Sequence, residues 1–155
     1  MKDVFEAIPT VIAEIEISYK PFINPSDCPR ITKSKDAYRL FIDTWDKKRF
    51  EFIQECRVMV LNNDHRVLGI VTIPRGSCVK TMIEPKLVFA IALKANASQI
   101  IVAHNRLAGN LNPGPSDLEL SEKLVSAGSL LDIKVADYLI IGREGSYSFA
   151  FEGVL

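Results

Sequence analysis

The residues best suited to chemistry lie between positions 99 and 117. The run Gln99-Ile100-Ile101-Val102-Ala103 delivers His104 into Asn105-Arg106-Leu107-Ala108-Gly109-Asn110, and Asn112, Pro113, Gly114 and Pro115 lead on to Asp117. An imidazole can ligate a metal or carry a proton near neutral pH, and a carboxylate can share either task. A histidine leaving a buried strand for a loop of Gly, Asn and Pro stands where α/β proteins present functional groups. Each candidate also has a plain structural role. A lone histidine is commonly a hydrogen-bonded structural residue. Asp117 falls in the first turn of an expected helix, where a carboxylate offsets the macrodipole, and Ser116-Asp117-Leu118-Glu119 has the form of a capping box. Glu55, just before an apolar run, reads as a solvated carboxylate, and Asp137-Tyr138, placed at a strand end, as packing. Arg75 and Lys94 could each meet an anion, but single basic residues usually only solvate a surface. Cys56 and Cys78 read as small core fillers, since no base is positioned beside either. His65, on an expected turn, reads as solvated.

The elements that must position these groups follow from periodicity. Residues 11–19 set Glu14, Glu16 and Ser18 against Ala13, Ile15, Ile17 and Tyr19, the alternation of a half-buried strand. Pro21, Pro25 and Pro29, with Asn24, Ser26 and Asp27, then read as an extended linker. This divides the chain into an arm, residues 1–30, and a domain, residues 31–155. Ser34 has the character of an N-cap, and Ala37, Tyr38, Phe41, Ile42 and Trp45 form the apolar face of the helix behind it. Residues 56–61 and 67–73 are apolar and rich in β-branched side chains, and the polar cluster 62–66 joins them as a hairpin. Pro74-Arg75-Gly76-Ser77 breaks the chain, and Pro85 opens a second helix through Leu87, Phe89, Ala90, Leu93 and Ala97. Residues 99–103 form a central strand apolar on both faces. A third helix is expected over 116–127 with Gly128 as its stop, then a strand over 133–141 and another over 147–151. The result is an α/β domain, a mixed sheet flanked by helices.

Composition excludes several functions. The chain has 155 residues, 48% hydrophobic and 25% charged, the balance of a globular domain. Its 19 basic and 19 acidic residues cancel, whereas a protein gripping DNA through phosphates normally carries a basic excess. Strong nucleic-acid binding is not expected. No apolar run reaches membrane-span length, and the first residues lack a signal-peptide core. Three cysteines, Cys28, Cys56 and Cys78, are odd in number and widely spaced, which excludes a disulfide framework and fits a reducing cytoplasm.

From about Arg30 to its end, roughly four-fifths of its length, the chain resembles the RadC-like DNA repair protein family. The likeness is carried by Ser34-Lys35-Asp36-Ala37-Tyr38, Val67-Leu68-Gly69-Ile70, Ala92-Leu93-Lys94-Ala95-Asn96-Ala97-Ser98 and His104-Asn105 with Gly109-Asn110. Ala127-Gly128, Leu131-Asp132-Ile133, Tyr147-Ser148-Phe149-Ala150 and Glu152-Gly153 extend it. The resemblance implies a JAB/MPN (JAMM) metalloprotease-like domain of cytidine-deaminase-like architecture. The helix-hairpin-helix region that precedes this domain in longer members is not found in the chain. The family pattern is an upstream glutamate, His-x-His-Pro-Ser-Gly, then Pro-Ser-x-x-Asp. Two histidines and the aspartate hold zinc, with water in the open fourth position and the glutamate as its base.

Carried over residue by residue, the resemblance puts Glu55 at the general base and His104 and Asp117 at two metal ligands. Arg106 replaces the second histidine, Leu107 the proline, Ala108 the serine near the oxyanion and Gly114 the serine three before the aspartate. Tyr138 stands where a histidine usually follows Asp137. A guanidinium stays protonated and has no lone pair to give a metal, so zinc is expected to be absent or weak here. This favours an inactive relative serving as an interaction or regulatory module for an unknown protein or peptide partner. The alternatives are a zinc-dependent metallopeptidase or deconjugating hydrolase with a rearranged site, and a DNA-repair accessory, as the family name implies. The arm strand is expected to add to a sheet edge, its own or that of a second copy in a homodimer. Glu55, His104 and Asp117 are expected to face one pocket, with Arg106 paired to one or both carboxylates.

Overall fold

The computed structural model describes residues 16, 18–73 and 83–155. Most of the expected arm strand, together with Arg75 and Cys78, lies outside the described residues, and the described members of that segment, Glu16, Ser18 and Tyr19, are exposed and in no strand. Five strands form one mixed sheet in the order β2-β1-β3-β4-β5: β1 is Cys56–Leu61, β2 Val67–Ile73, β3 Gln99–Asn105, β4 Lys134–Ile141 and β5 Ser146–Ser148. Only β3 and β4 run parallel, since the helix between them carries the chain back across the sheet. The helices are α1 (Ser34–Thr44), α2 (Lys47–Phe50), α3 (Pro85–Lys94) and α4 (Pro115–Leu130).

Each face of the sheet has its own apolar layer. Val58, Val60, Ile100, Val102 and Ile140 pack with Val88 and Phe89 of α3 and Leu124 of α4. Met59, Leu61, Ile101, Ala103 and Leu139 pack with Ala37 and Phe41 of α1 and with Trp45 just beyond it. Every residue of β3 is buried, which is why its sequence shows no alternation.

Several boundaries depart from the sequence reading. β3 continues to Asn105, because β4 runs alongside it to Ile141; His104 therefore lies inside the strand, paired with Cys56 and Ile140. Asp137 is likewise interior to β4, not at its end. Ser34 is the first residue of α1, not its cap: the Asp36 carboxylate accepts from the backbone N–H groups of Thr32 and Lys33, leaving the Ser34 hydroxyl for other partners. The short α2, capped by the Asp46 carboxylate on the N–H of Lys48, has no apolar period to announce it. β5 begins one residue earlier than expected and ends at Ser148; the N–H of Phe149 still donates to Tyr138 O.

α4 does not stop at Gly128. The helix runs through it to Leu130, and the chain reverses at Asp132, whose φ is 55°. Glycine is needed there for proximity: a Cβ on Gly128 would lie 2.3 Å from the Ile133 carbonyl oxygen. The Ile133 N–H returns to the Gly128 carbonyl, and this close approach launches β4 beneath the helix.

Candidate functional site

The site forms where β3, the loop after it and the first turn of α4 meet. Pro115 opens α4 with φ preset and no N–H to satisfy, and two residues later Asp117 folds its carboxylate back over the helix start. Asp117 Oδ2 accepts from the Gly114 N–H at 2.8 Å, while the Asp117 N–H donates to the Gly114 carbonyl at 3.1 Å. Gly114 thus serves the helix start. The same Oδ2 accepts from Arg106 Nη2 at 2.7 Å, and Arg106 Nη1 donates to the Asn112 carbonyl at 2.5 Å and the Asn110 carbonyl at 3.3 Å. The guanidinium therefore ties the loop after β3 to the aspartate, using its fork where a single-point cation could not.

His104 lies one strand residue below this pair. Its Nδ1 is 2.8 Å from the Tyr138 hydroxyl, and its Nε2 is 4.0 Å from Asp117 Oδ1. Burial pushes the imidazole down to about 4; the Asp117 charge opposes that shift and Arg106 adds to it. Near neutral pH the ring is uncharged. Burial, with Asp117 next, holds the Tyr138 phenol well above its usual range, so it remains a neutral hydroxyl. The four side chains share a cleft of about 640 Å³, also lined by Gln54 and Lys123. Arg106 also borders a neighbouring cavity of about 570 Å³, into which the loop at Ala108 faces.

His104, Arg106 and Asp117 are thus brought together, and Gly114 with them. Glu55 is not. Cys56 pairs directly with His104, so the two side chains share a face, and alternation sends Glu55 with Asn105 to the other one. There the Glu55 carboxylate meets Arg49 Nη2 at 2.9 Å, while its N–H donates to Asn105 Oδ1 at 2.6 Å. The residue from this stretch that lines the His104 cleft is Gln54. Ala108 is exposed on the neighbouring cavity and does not line the His104 cleft, so a hydroxyl there would sit outside it.

Asp137 is buried away from the cleft. Its Oδ2 accepts from Ser34 Oγ at 3.0 Å and Ser148 Oγ at 2.6 Å, and its Oδ1 from the Ala150 N–H at 3.0 Å. It clasps the start of α1 and the segment after β5 to the middle of β4. His65, read as solvated, is exposed, but its Nδ1 is 3.1 Å from Gln99 Nε2. Cys56 is buried, and burial raises its thiol far above the range in which a thiolate forms.

The donor set does not suit the zinc site the resemblance implies. Such a site needs three protein ligands at tetrahedral angles, about 2.0–2.2 Å from the ion for nitrogen and oxygen. His104 Nε2 and Asp117 Oδ1 are 4.0 Å apart, so an ion at that distance from both would subtend an angle of about 130° or more, wider than tetrahedral. Arg106, which the resemblance puts at the third position, already balances the Asp117 charge. Among the described residues, no group of three or more His, Cys, Asp or Glu side chains could hold a metal ion.

Tyr138 and Gln54 are the site members that residue-by-residue reading placed wrongly or missed. Tyr138 reads as packing because an aromatic in a strand usually is, yet its hydroxyl orients the imidazole. Gln54 could be found only by counting by twos from the residue that pairs with His104.

Comparison with known proteins agrees with this architecture. Residues 31–154 match the family model described as RadC-like JAB domain. A UPF0758 protein of Flavobacterium johnsoniae is 34% identical over 81% of this chain and 53% of its own length. A UPF0758 protein of Porphyromonas gingivalis is 34% identical over 94% of this chain and 64% of its own. The UPF0758 protein YeeS of Escherichia coli is 37% identical over 66% of this chain and 69% of its own. The chain spans little more than half the length of the Flavobacterium relative. No helix among the described residues is long and apolar enough to cross a membrane.

Proposed function

The chain belongs to the RadC-like JAB domain family, and on that premise we propose that it is a non-catalytic member, an interaction or regulatory module that recognises a protein or peptide segment. One observation carries this reading: the Arg106 guanidinium, at the position to which the resemblance assigns a metal-ligating histidine, sits 2.7 Å from Asp117 and pairs with it. It supplies a fixed positive charge where the metal's charge would otherwise be needed, and that charge cannot polarise a bound water as a Lewis acid does. The neutral His104, held by Tyr138, makes a cleft floor with hydrogen-bonding capacity but little appetite for protons. Glu55, which the resemblance puts at the general base, faces away from this cleft, and Gln54, which lines it, is an amide and no general base.

Zinc titration of the purified protein by calorimetry, with metal analysis, tests the proposal. Far less than one zinc per chain and no metal-dependent peptidase activity are expected. Stoichiometric, tightly bound zinc at His104 and Asp117 would overturn it in favour of a metallopeptidase with a rearranged site.

A further inference from the structure

His104 enters its cleft as the penultimate residue of β3, with its side chain 5% exposed, and Asp117 enters from the first turn of α4 with 13%. The imidazole Nδ1 is taken by the Tyr138 hydroxyl at 2.8 Å. The bonds that the Asp117 carboxylate accepts, from the Gly114 N–H and from Arg106 Nη2, both fall on Oδ2. That leaves His104 Nε2 and Asp117 Oδ1, whose 4.0 Å separation is too long for a hydrogen bond between them. Among the described residues neither atom has a hydrogen-bond partner, and both residues line the cleft. Polar atoms on side chains this buried are ordinarily satisfied by protein, water or a ligand.

The neighbours of the ring decide where its proton sits. A carboxylate oxygen beside Nε2 favours a proton on that nitrogen, and the Tyr138 hydroxyl then donates to the bare Nδ1. The opposite tautomer would turn the Nε2 lone pair toward the negative Oδ1. A second proton on the ring would leave the Nε2–H in place, so the assignment holds in either charge state. Nε2–H and Oδ1 are therefore a fixed donor beside a fixed acceptor. The charged residues lining the cleft are joined in opposite pairs, Arg106 with Asp117 and Lys123 with Glu119. They leave no net charge to hold an ion.

We propose that this couple recognises a primary carboxamide, the side chain of an asparagine or glutamine in the protein or peptide segment that the cleft binds. The inference rests on the non-catalytic reading, since a metal at His104 would occupy Nε2. The amide oxygen accepts from His104 Nε2–H, and the amide nitrogen donates to Asp117 Oδ1. A carboxamide carries its oxygen and one N–H on the same edge, about 2.3 Å apart by standard bond lengths, so two bonds of about 2.9 Å splay only slightly to meet the couple. A trans backbone peptide presents its N–H and C=O on opposite sides and cannot make both bonds. A single hydroxyl about 2.9 Å from both atoms would hold its two bonds at roughly 90°, tighter than its tetrahedral preference. A carboxylate would set an acceptor against Oδ1, and an ammonium a donor against Nε2–H. Ile83, Pro85 and Leu120 supply apolar wall for the methylene stem.

Nitrogen-15 NMR of the histidine rings, on the full chain as purified, tests the donor. Two-bond couplings are expected to show the His104 proton on Nε2, and a bare Nε2 would overturn the proposal. Propionamide, propionate, propylammonium and n-propanol, each titrated at millimolar concentrations, test the recognition. Propionamide is expected to shift both the His104 Nε2 and the Asp117 carboxylate carbon, and to bind at least about tenfold more tightly than either charged isostere. A smaller preference, or propanol binding as tightly as the amide, would overturn the proposal. Zinc analysis of the same sample separates this inference from the reading beneath it. Stoichiometric zinc would overturn both. A zinc-free chain with no preference for the amide would overturn this inference alone and leave the non-catalytic module standing.

Discussion

Glu55 and His104 point to opposite faces of the sheet, because Cys56, not Glu55, is the residue paired with His104. The cleft wall is therefore Gln54, and Glu55 belongs to an ion pair with the half-exposed Arg49. Glu55→Gln is expected to cost about 1 kcal/mol or less, the ordinary worth of such a pair, and to leave the His104 titration where it is. Gln54→Glu adds a carboxylate to a cleft already lined by Asp117 and Glu119 and should move the His104 pKa upward from about 4. Following the imidazole resonances of both variants against pH checks the assignment. A His104 pKa that responds to Glu55→Gln and ignores Gln54→Glu would reverse it.

Arg106 is expected to matter to stability as well as to metal exclusion. Arg106→Ala removes the guanidinium bonded to the largely buried Asp117, among the described residues its only permanently charged side-chain partner, and should cost about 2–3 kcal/mol in denaturant unfolding. Arg106→Lys should recover only part of this, since an ammonium cannot reach the carboxylate and the Asn110 and Asn112 carbonyls together. Arg106→His should raise zinc affinity by offering a third ligand, seen as a zinc-dependent rise in Tm that the unsubstituted chain lacks.

The buried imidazole makes stability depend on pH in a defined window. His104 titrates at about 4 in the fold against its usual 6.5. Between those values the unfolded chain binds the proton and the folded chain does not. The stability due to this group is therefore complete above about 6.5 and falls away as pH drops toward 4. The full effect is about 3 kcal/mol at 1.36 kcal/mol per unit. His104→Gln should flatten that part of the curve, and unfolding midpoints of the two chains from pH 7 to 4 check it. Parallel curves would show that carboxylates alone carry the acid sensitivity.

Gly128→Ala should destabilise, although alanine is the better helix former by up to about 1 kcal/mol. The added methyl would meet the backbone oxygen of Ile133, which cannot rotate aside, and overpacking of this kind costs about 1–3 kcal/mol. A lowered denaturant midpoint at unchanged m-value is the expected result.

Much of the architecture was legible in the residues themselves. The apolar runs of β1, β2 and β3, the turn cluster between the first two, and Pro85 at a helix start are local signals, and local signals survive folding. The nearness of His104, Arg106 and Asp117 was also within reach, because a strand, a loop and a helix start in that order bring the three to one end of the sheet. Sequence could not say whether Gln54 or Glu55 faces the cleft, since a shift of one residue in strand pairing exchanges the faces. Nor could it show that Gly128 is a contact with Ile133 and not a stop, or that the Tyr138 hydroxyl reaches His104. Those depend on distances between segments far apart in the chain: periodicity along one strand identifies two faces, and only the neighbouring strand and the helix packed above decide what each face meets.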